Sequence, residues 1–157
     1  MATGAPIRIY LVVIDDSAEA RVALRFAARR ASKTGGRVEV LAVFAPQEFV
    51  QWGGVQHAIE EEQRLRIQGI VSAAVGELLD EAGIEPTIVV QEGEPVKTVR
   101  DYVGKREDVA ALVLGAKPSG DPGMMVAAFS GTDAGKLPCP VMVIPGSLTD
   151  ERLEQLS

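Results

Sequence analysis

Short, almost wholly apolar runs alternate along this chain with longer stretches in which apolar residues recur every three or four positions. A strand-length run buried on both sides followed by a segment of helical period is the pattern of a parallel sheet flanked by helices. Five strands are predicted, at about 7–14, 37–44, 86–91, 110–114 and 141–144. Between the first two, Val22, Leu24, Phe26, Ala27 and Ala31 form one face of a helix and Arg21, Arg25, Arg29 and Arg30 the other. Asp16 or Ser17 suits its N-cap, with Glu19 three residues after Asp16, and Thr34-Gly35-Gly36 supplies the stop.

A longer helix is predicted over about 58–82, with Ile59, Leu65, Ile70, Val71, Ala74, Val75, Leu78 and Leu79 as its apolar stripe. Gly69 and Gly76 weaken it by up to about 1 kcal/mol each relative to Ala. Pro95 starts a third helix whose sheet-facing residues are Val96, Val99, Tyr102 and Val103. A fourth, poor in charge and so expected to be well buried, spans about 125–137 and is stopped by Pro138 and Pro140. The chain thus divides into one α/β domain over 1–146 and a tail, 147–157. In the tail Leu153 and Leu156 share one side of a short helix that needs something to dock on.

Composition narrows the function. With 157 residues, 46% apolar and 24% charged, the chain suits one soluble domain. A net charge of −6 argues against a nucleic-acid partner. No apolar run is long enough for a membrane span or a signal peptide. The single cysteine, Cys139, fits a reducing cytoplasm, and with the single histidine, His57, it makes no metal signature. A packed thiol is the reading of Cys139, and a surface or interface residue that of His57. No Gly-x-Ser-x-Gly elbow or histidine-based triad is present, which disfavours a hydrolase. The acidic pair Asp15-Asp16 after an apolar strand also suits a phosphoacceptor domain, but no aspartate lies between Ala18 and Leu79, and Gln91 ends the third strand.

Candidate chemistry gathers at two strand ends. Val13-Ile14-Asp15-Asp16-Ser17 closes the first strand, and Val113-Leu114-Gly115 opens a Gly-rich stretch after the fourth. In a doubly wound sheet, ligands bind where such ends meet. Together with Leu41-Ala42-Val43, Gly93-Glu94-Pro95 and Cys139-Pro140-Val141-Met142-Val143-Ile144, in this order, these motifs resemble the universal stress protein family.

The resemblance implies an α/β, adenine-nucleotide alpha-hydrolase-like fold: a doubly wound five-stranded parallel sheet of order 3-2-1-4-5 with about four helices. It implies a homodimer joined through Val141, Met142, Val143 and Ile144, a stress-response or regulatory role without catalysis, and ATP or AMP as the ligand in some members. Members that bind ATP carry Gly-x2-Gly-x9-Gly followed by Ser or Thr, glycines letting backbone N–H groups approach phosphate. Here Gly115 matches the first glycine, but Pro118, which has no N–H, stands at the second. Counting back from Pro138-Cys139-Pro140 puts Ala127-Ala128 at the final pair. A degenerate nucleotide pocket is the expectation.

The alternative is a working ATP or AMP site on a shifted loop. It uses Asp15, Ser17, the Val43 backbone, Gly115, Lys117, Gly120 and Gly131-Thr132, and shortens the fourth helix by about one turn. The resemblance places Asp15 at the ribose and Lys117 at a phosphate; by local chemistry alone Asp15 is a helix cap and Lys117 a solvated loop residue. Trp52, with Phe49 and Val50, stands in a segment suited either to covering the pocket or to packing on a partner.

Overall fold

The computed structural model describes residues 6–45 and 55–157, and within α2 the side chains of 55–59, 77, 80 and 81 are left undescribed. The segment carrying Phe49, Val50 and Trp52, and the side chain of His57, therefore lie outside the described residues. The elements run β1 (Ile9–Ile14), α1 (Ala18–Thr34), β2 (Arg37–Phe44), α2 (Val55–Ala82), β3 (Thr87–Glu92) and α3 (Pro95–Gly104). They continue with β4 (Val109–Ala116), α4 (Met124–Phe129), β5 (Val141–Pro145) and α5 (Asp150–Leu156), with a 3₁₀ turn at Ala134–Lys136. All strand pairs are parallel, in the order β3-β2-β1-β4-β5. The expected doubly wound sheet is present.

Strand alternation sorts the core into two layers. Tyr10, Val12 and Ile14 of β1 and Val38, Val40 and Ala42 of β2 face α1, α2 and α5. Leu11, Leu41, Leu112 and Leu114 face α3 and α4. The central strands are buried on both faces, which is why their sequences read as unbroken apolar runs. β1 leads to β2 and β3 on one side, whereas α3 carries the chain back across to β4 and β5. The strand order therefore reverses between β1 and β4, and a crevice opens at their carboxyl ends.

Helix boundaries follow local chemistry. Ser17 is the N-cap of α1, accepting the Ala20 N–H at 3.2 Å, while Gly35 ends the helix at φ +69°. Asp16 does not cap; its carboxylate meets Arg66 at 3.2 Å. In α2, Val71, Ala74 and Leu78 are buried, but Leu65 and Leu79 point outward rather than joining the apolar stripe.

The fourth helix departs most from expectation. It ends at Phe129 instead of near residue 137, and only Val126 and Phe129 of its residues are buried. Ser130 turns its hydroxyl back to the Val126 carbonyl at 2.6 Å, Gly131 follows, and Asp133 is drawn to Arg100 at 2.7 Å. A serine hydroxyl that bonds back to the carbonyl four residues earlier slightly weakens and bends a helix, and this one goes no further.

The tail does form a helix, and it docks on α1. Leu153 is wholly buried in the α1–α2 layer. Arg25 pairs with Asp150 at 3.2 Å, and Lys33 donates to the Glu154 and Ser157 carbonyls at 2.8 and 3.2 Å.

Candidate functional site

Two cavities occupy the crevice. The first, about 250 Å³, lies between the ends of β1 and β2 and helix α2; Ala42, Phe44, Ile67, Ile70 and Val71 make its apolar wall, and Asp16, Gln63 and Arg66 line it too. The second, about 180 Å³, lies between β1, β4, the first turn of α1, Pro95 and the start of α4. Ile14, Asp15 and Val43 belong to both. A ligand that spans the two must pass Asp15.

Asp15 follows the last residue of β1, so its side chain leaves the sheet at the switch point. Its Oδ1 accepts the Ser17 N–H at 2.9 Å and also the Ser17 hydroxyl. Ser17 in turn caps α1, so the hydroxyl is engaged on both sides. The second Asp15 oxygen remains the group a bound hydroxyl would meet.

Of the residues singled out in the sequence, Asp15, Ser17, Val43 and Gly115 are brought together around the second cavity. Lys117 and Gly120 sit in the exposed loop after β4 and line neither cavity. Gly131 and Thr132 come after the last turn of α4, whereas the cavity touches its first turn at Met124, Met125 and Val126. Neither lines either of these two cavities. Ala127 and Ala128 fall inside α4, and the Ala127 N–H already bonds the Gly123 carbonyl at 3.0 Å.

The loop between β4 and α4 is closed on itself. Lys117 N–H donates to the Pro122 carbonyl at 3.1 Å, and Gly123 N–H to the Asp121 carboxylate at 2.9 Å. Pro118 has no N–H at all. Gly115 has a packing reason to be glycine, because a Cβ there would run into the Glu19 carbonyl of α1.

Several lining residues carry no sequence signal of their own: Gln63 and Arg66 across from the strand ends, and Met124 and Met125. Ile70 and Val71 were legible only as members of an apolar stripe. Cys139 lies outside both cavities, half-buried at the entry to β5, and burial pushes its thiol up from the ordinary value. Among the described residues no group of three or more His, Cys, Asp and Glu side chains is gathered as a metal site. Also among them, no helix is long and apolar enough to cross a membrane.

The chain is a parallel doubly wound α/β domain with a crevice at its switch point, the place where sheets of this kind bind ligands. The Universal stress protein family model matches residues 6–145, and the chain belongs to that family. No curated protein matches it. Among solved structures, the universal stress protein UspA from Lactobacillus plantarum superposes with a TM-score of 0.71 at 18% identity, covering 90% of this chain and 99% of that one. A universal stress protein from Archaeoglobus fulgidus in complex with dAMP gives 0.54 at 23% identity, covering 88% and 97%. A family member from Arabidopsis thaliana with AMP bound gives 0.60 at 15%, covering 92% and 94%. At these identities the likeness shows the fold.

Proposed function

We propose that this chain is a non-catalytic, cytoplasmic regulatory protein of the universal stress type. It acts as a homodimer, and its crevice accepts the nucleoside part of an adenine nucleotide but has a degenerate phosphate end. The observation that carries the reading is the closed loop after β4. The amides of Lys117, Gly123 and Ala127 are bonded within the protein, and Pro118 offers none. A phosphate that called on these amides would have to break the bonds they already make. The apolar first cavity, by contrast, suits a flat base, with Asp15 beside it for a sugar hydroxyl. Titration calorimetry of the purified protein with ATP tests this: micromolar or tighter binding overturns the degenerate end.

The neighbours holding AMP and dAMP favour a second reading, in which AMP or ATP is still bound through Asp15, Ser17, Val43 and Gly115. Under it, Asp15→Ala abolishes nucleotide binding and leaves the thermal stability close to the parent's.

The dimer reading rests on β5, the edge strand after β4. Its Val143 is exposed, Val141 and Met142 are half-buried, and Ile144 is buried. An apolar sheet edge of this kind is a template for pairing with another copy. Sedimentation of the parent and of Val143→Lys tests it; a dimer that the lysine leaves intact speaks against β5 as the contact.

A further inference from the structure

β3 ends the sheet with one side open. Its ladder runs to β2 alone, and no other described strand reaches its outer edge. α2 and α3 pack over β2 more than over β3, so both faces of the edge strand are incompletely covered. Ile88 is 42% exposed, and Val89 and Val90 are half-buried. A groove flanks the strand on each face. The one on the α2 side, about 230 Å³, is bounded by Phe44, Arg64, Gln68 and Val90. The one on the α3 side, about 470 Å³, is bounded by Gln91, Thr98, Tyr102 and Lys105. Glu92, at the end of the strand, belongs to both. A strand added to such an edge bonds its backbone to the open row of donors and acceptors, and its alternate side chains enter the recesses on the two faces.

Charge decides what kind of strand fits. Glu85 and Glu92 bracket the apolar run; both are exposed, and neither has an ion pair among the described residues. Two nearby cations are engaged elsewhere: Arg106 is held by Glu39 and Asp108, and Arg64 lies over the Phe44 ring at 5.9 Å. The α3-side groove carries both signs, with Asp101 and Lys105 among its residues, and selects neither. A second copy laid antiparallel on β3 would bring the Glu85 end of one strand towards the Glu92 end of the other, like charge against like at both ends. We propose that the free edge of β3 docks an extended segment of another protein, β-branched in its middle and basic at each end, as a sixth strand. Glu85 and Glu92 are seven positions apart, at most about 23 Å in an extended chain, so a segment of about eight residues reaches both.

The test titrates the isotope-labelled full chain with the peptide acetyl-Lys-Thr-Val-Ile-Val-Thr-Val-Lys-amide and follows the backbone amide resonances. Shifts should centre on Thr87–Glu92 and saturate. Methylating the peptide's backbone nitrogens at alternate positions should abolish binding in one phase and spare it in the other, because only every second N–H of an added strand faces the edge. Glutamate in place of both lysines should weaken binding about threefold or more through the loss of two exposed ion pairs. The double variant Glu85→Lys, Glu92→Lys should reverse that preference. An unchanged spectrum, shifts only away from β3, equal effects of the two methylation phases, or no discrimination between the lysine and glutamate peptides overturns the proposal. So does movement of the same β3 resonances when the protein is concentrated without peptide, since the occupant would then be a second copy.

Discussion

Gly115 at the end of β4 and Glu19 in the first turn of α1 approach so closely that a Cβ on Gly115 would overlap the Glu19 carbonyl oxygen. Gly146, just beyond β5, meets the same turn from another side: its Cβ would stand 2.8 Å from the Glu19 Cβ and 2.8 Å from the Ala116 carbonyl. Both glycines are places where backbone packs on backbone. Gly115→Ala is therefore expected to destabilise the fold by about 1–3 kcal/mol through overpacking, read as a lower urea midpoint. Loss of ligand in that variant would report a displaced α1 turn as much as a lost contact.

Gly69 and Gly76 behave oppositely. Both lie on the exposed side of α2 with open space where a Cβ would stand, and neither has a positive φ. Replacing either by alanine should raise stability by up to about 1 kcal/mol through helix propensity alone. Thermal melts of Gly69→Ala, Gly76→Ala and the double variant check this, and additivity is expected because the two sites are well separated along the helix.

The tail helix should depend on Leu153 far more than on its ion pairs. Leu153 is wholly buried, so Leu153→Ala should cost about 2–4 kcal/mol. Asp150 and Glu154, paired with Arg25 and Arg29, are largely exposed, and each alanine variant should cost under about 1 kcal/mol. Urea denaturation of the three variants separates the effects. A charge variant that matched Leu153→Ala would show that the pairs, not the leucine, hold the tail.

Cys139 is the only cysteine in the chain, so thiol chemistry reports a single site. Burial raises its pKa, which keeps the thiolate scarce at neutral pH. Reaction with a thiol reagent near pH 8 should be much slower than that of free cysteine and should recover in denaturant. Fast labelling of the native protein would contradict a packed thiol.

Much of the sheet was legible because strands buried on both faces must be continuously apolar. The runs at Val12-Val13-Ile14 and Leu112-Val113-Leu114 leave few other readings. The end of α4 was not, because nothing in its apolar pattern announces that Ser130 bonds back to Val126 and that Asp133 is drawn to Arg100. At the site, Asp15 was legible from its place after a strand. Gly115 was legible as a close approach, but a sequence does not say to which backbone, and the partner is α1. Arg66 and Gln63 reach the crevice from α2, far along the chain, and only the packing of that helix brings them there.

A hydrogen-bonded pair between β2 and α3 gives a prediction in pH. Glu39 of β2 is buried and accepts the Tyr102 hydroxyl at 2.7 Å and Arg106 Nη1 at 2.8 Å. Burial raises the Tyr102 pKa, and the hydrogen bond to Glu39 and its charge raise it further, against a smaller lowering by Arg106. The folded protein therefore holds this proton to higher pH than the unfolded chain, whose tyrosines titrate near about pH 10. Between those two values the folded state binds more protons, so stability falls as pH rises. The Tyr102 contribution is complete below about pH 10 and is lost above it. Tyr102→Phe removes the bond and should cost about 1 kcal/mol near pH 8. Because the variant has nothing to titrate at this position, the gap between it and the parent should close as pH rises past about 10. Tyr10, whose own pKa is lowered, is common to both proteins and cancels in the difference. Urea denaturation of the pair from about pH 8 to about pH 11 measures that gap, and one that stays constant or widens would show that Glu39 does not hold the Tyr102 proton.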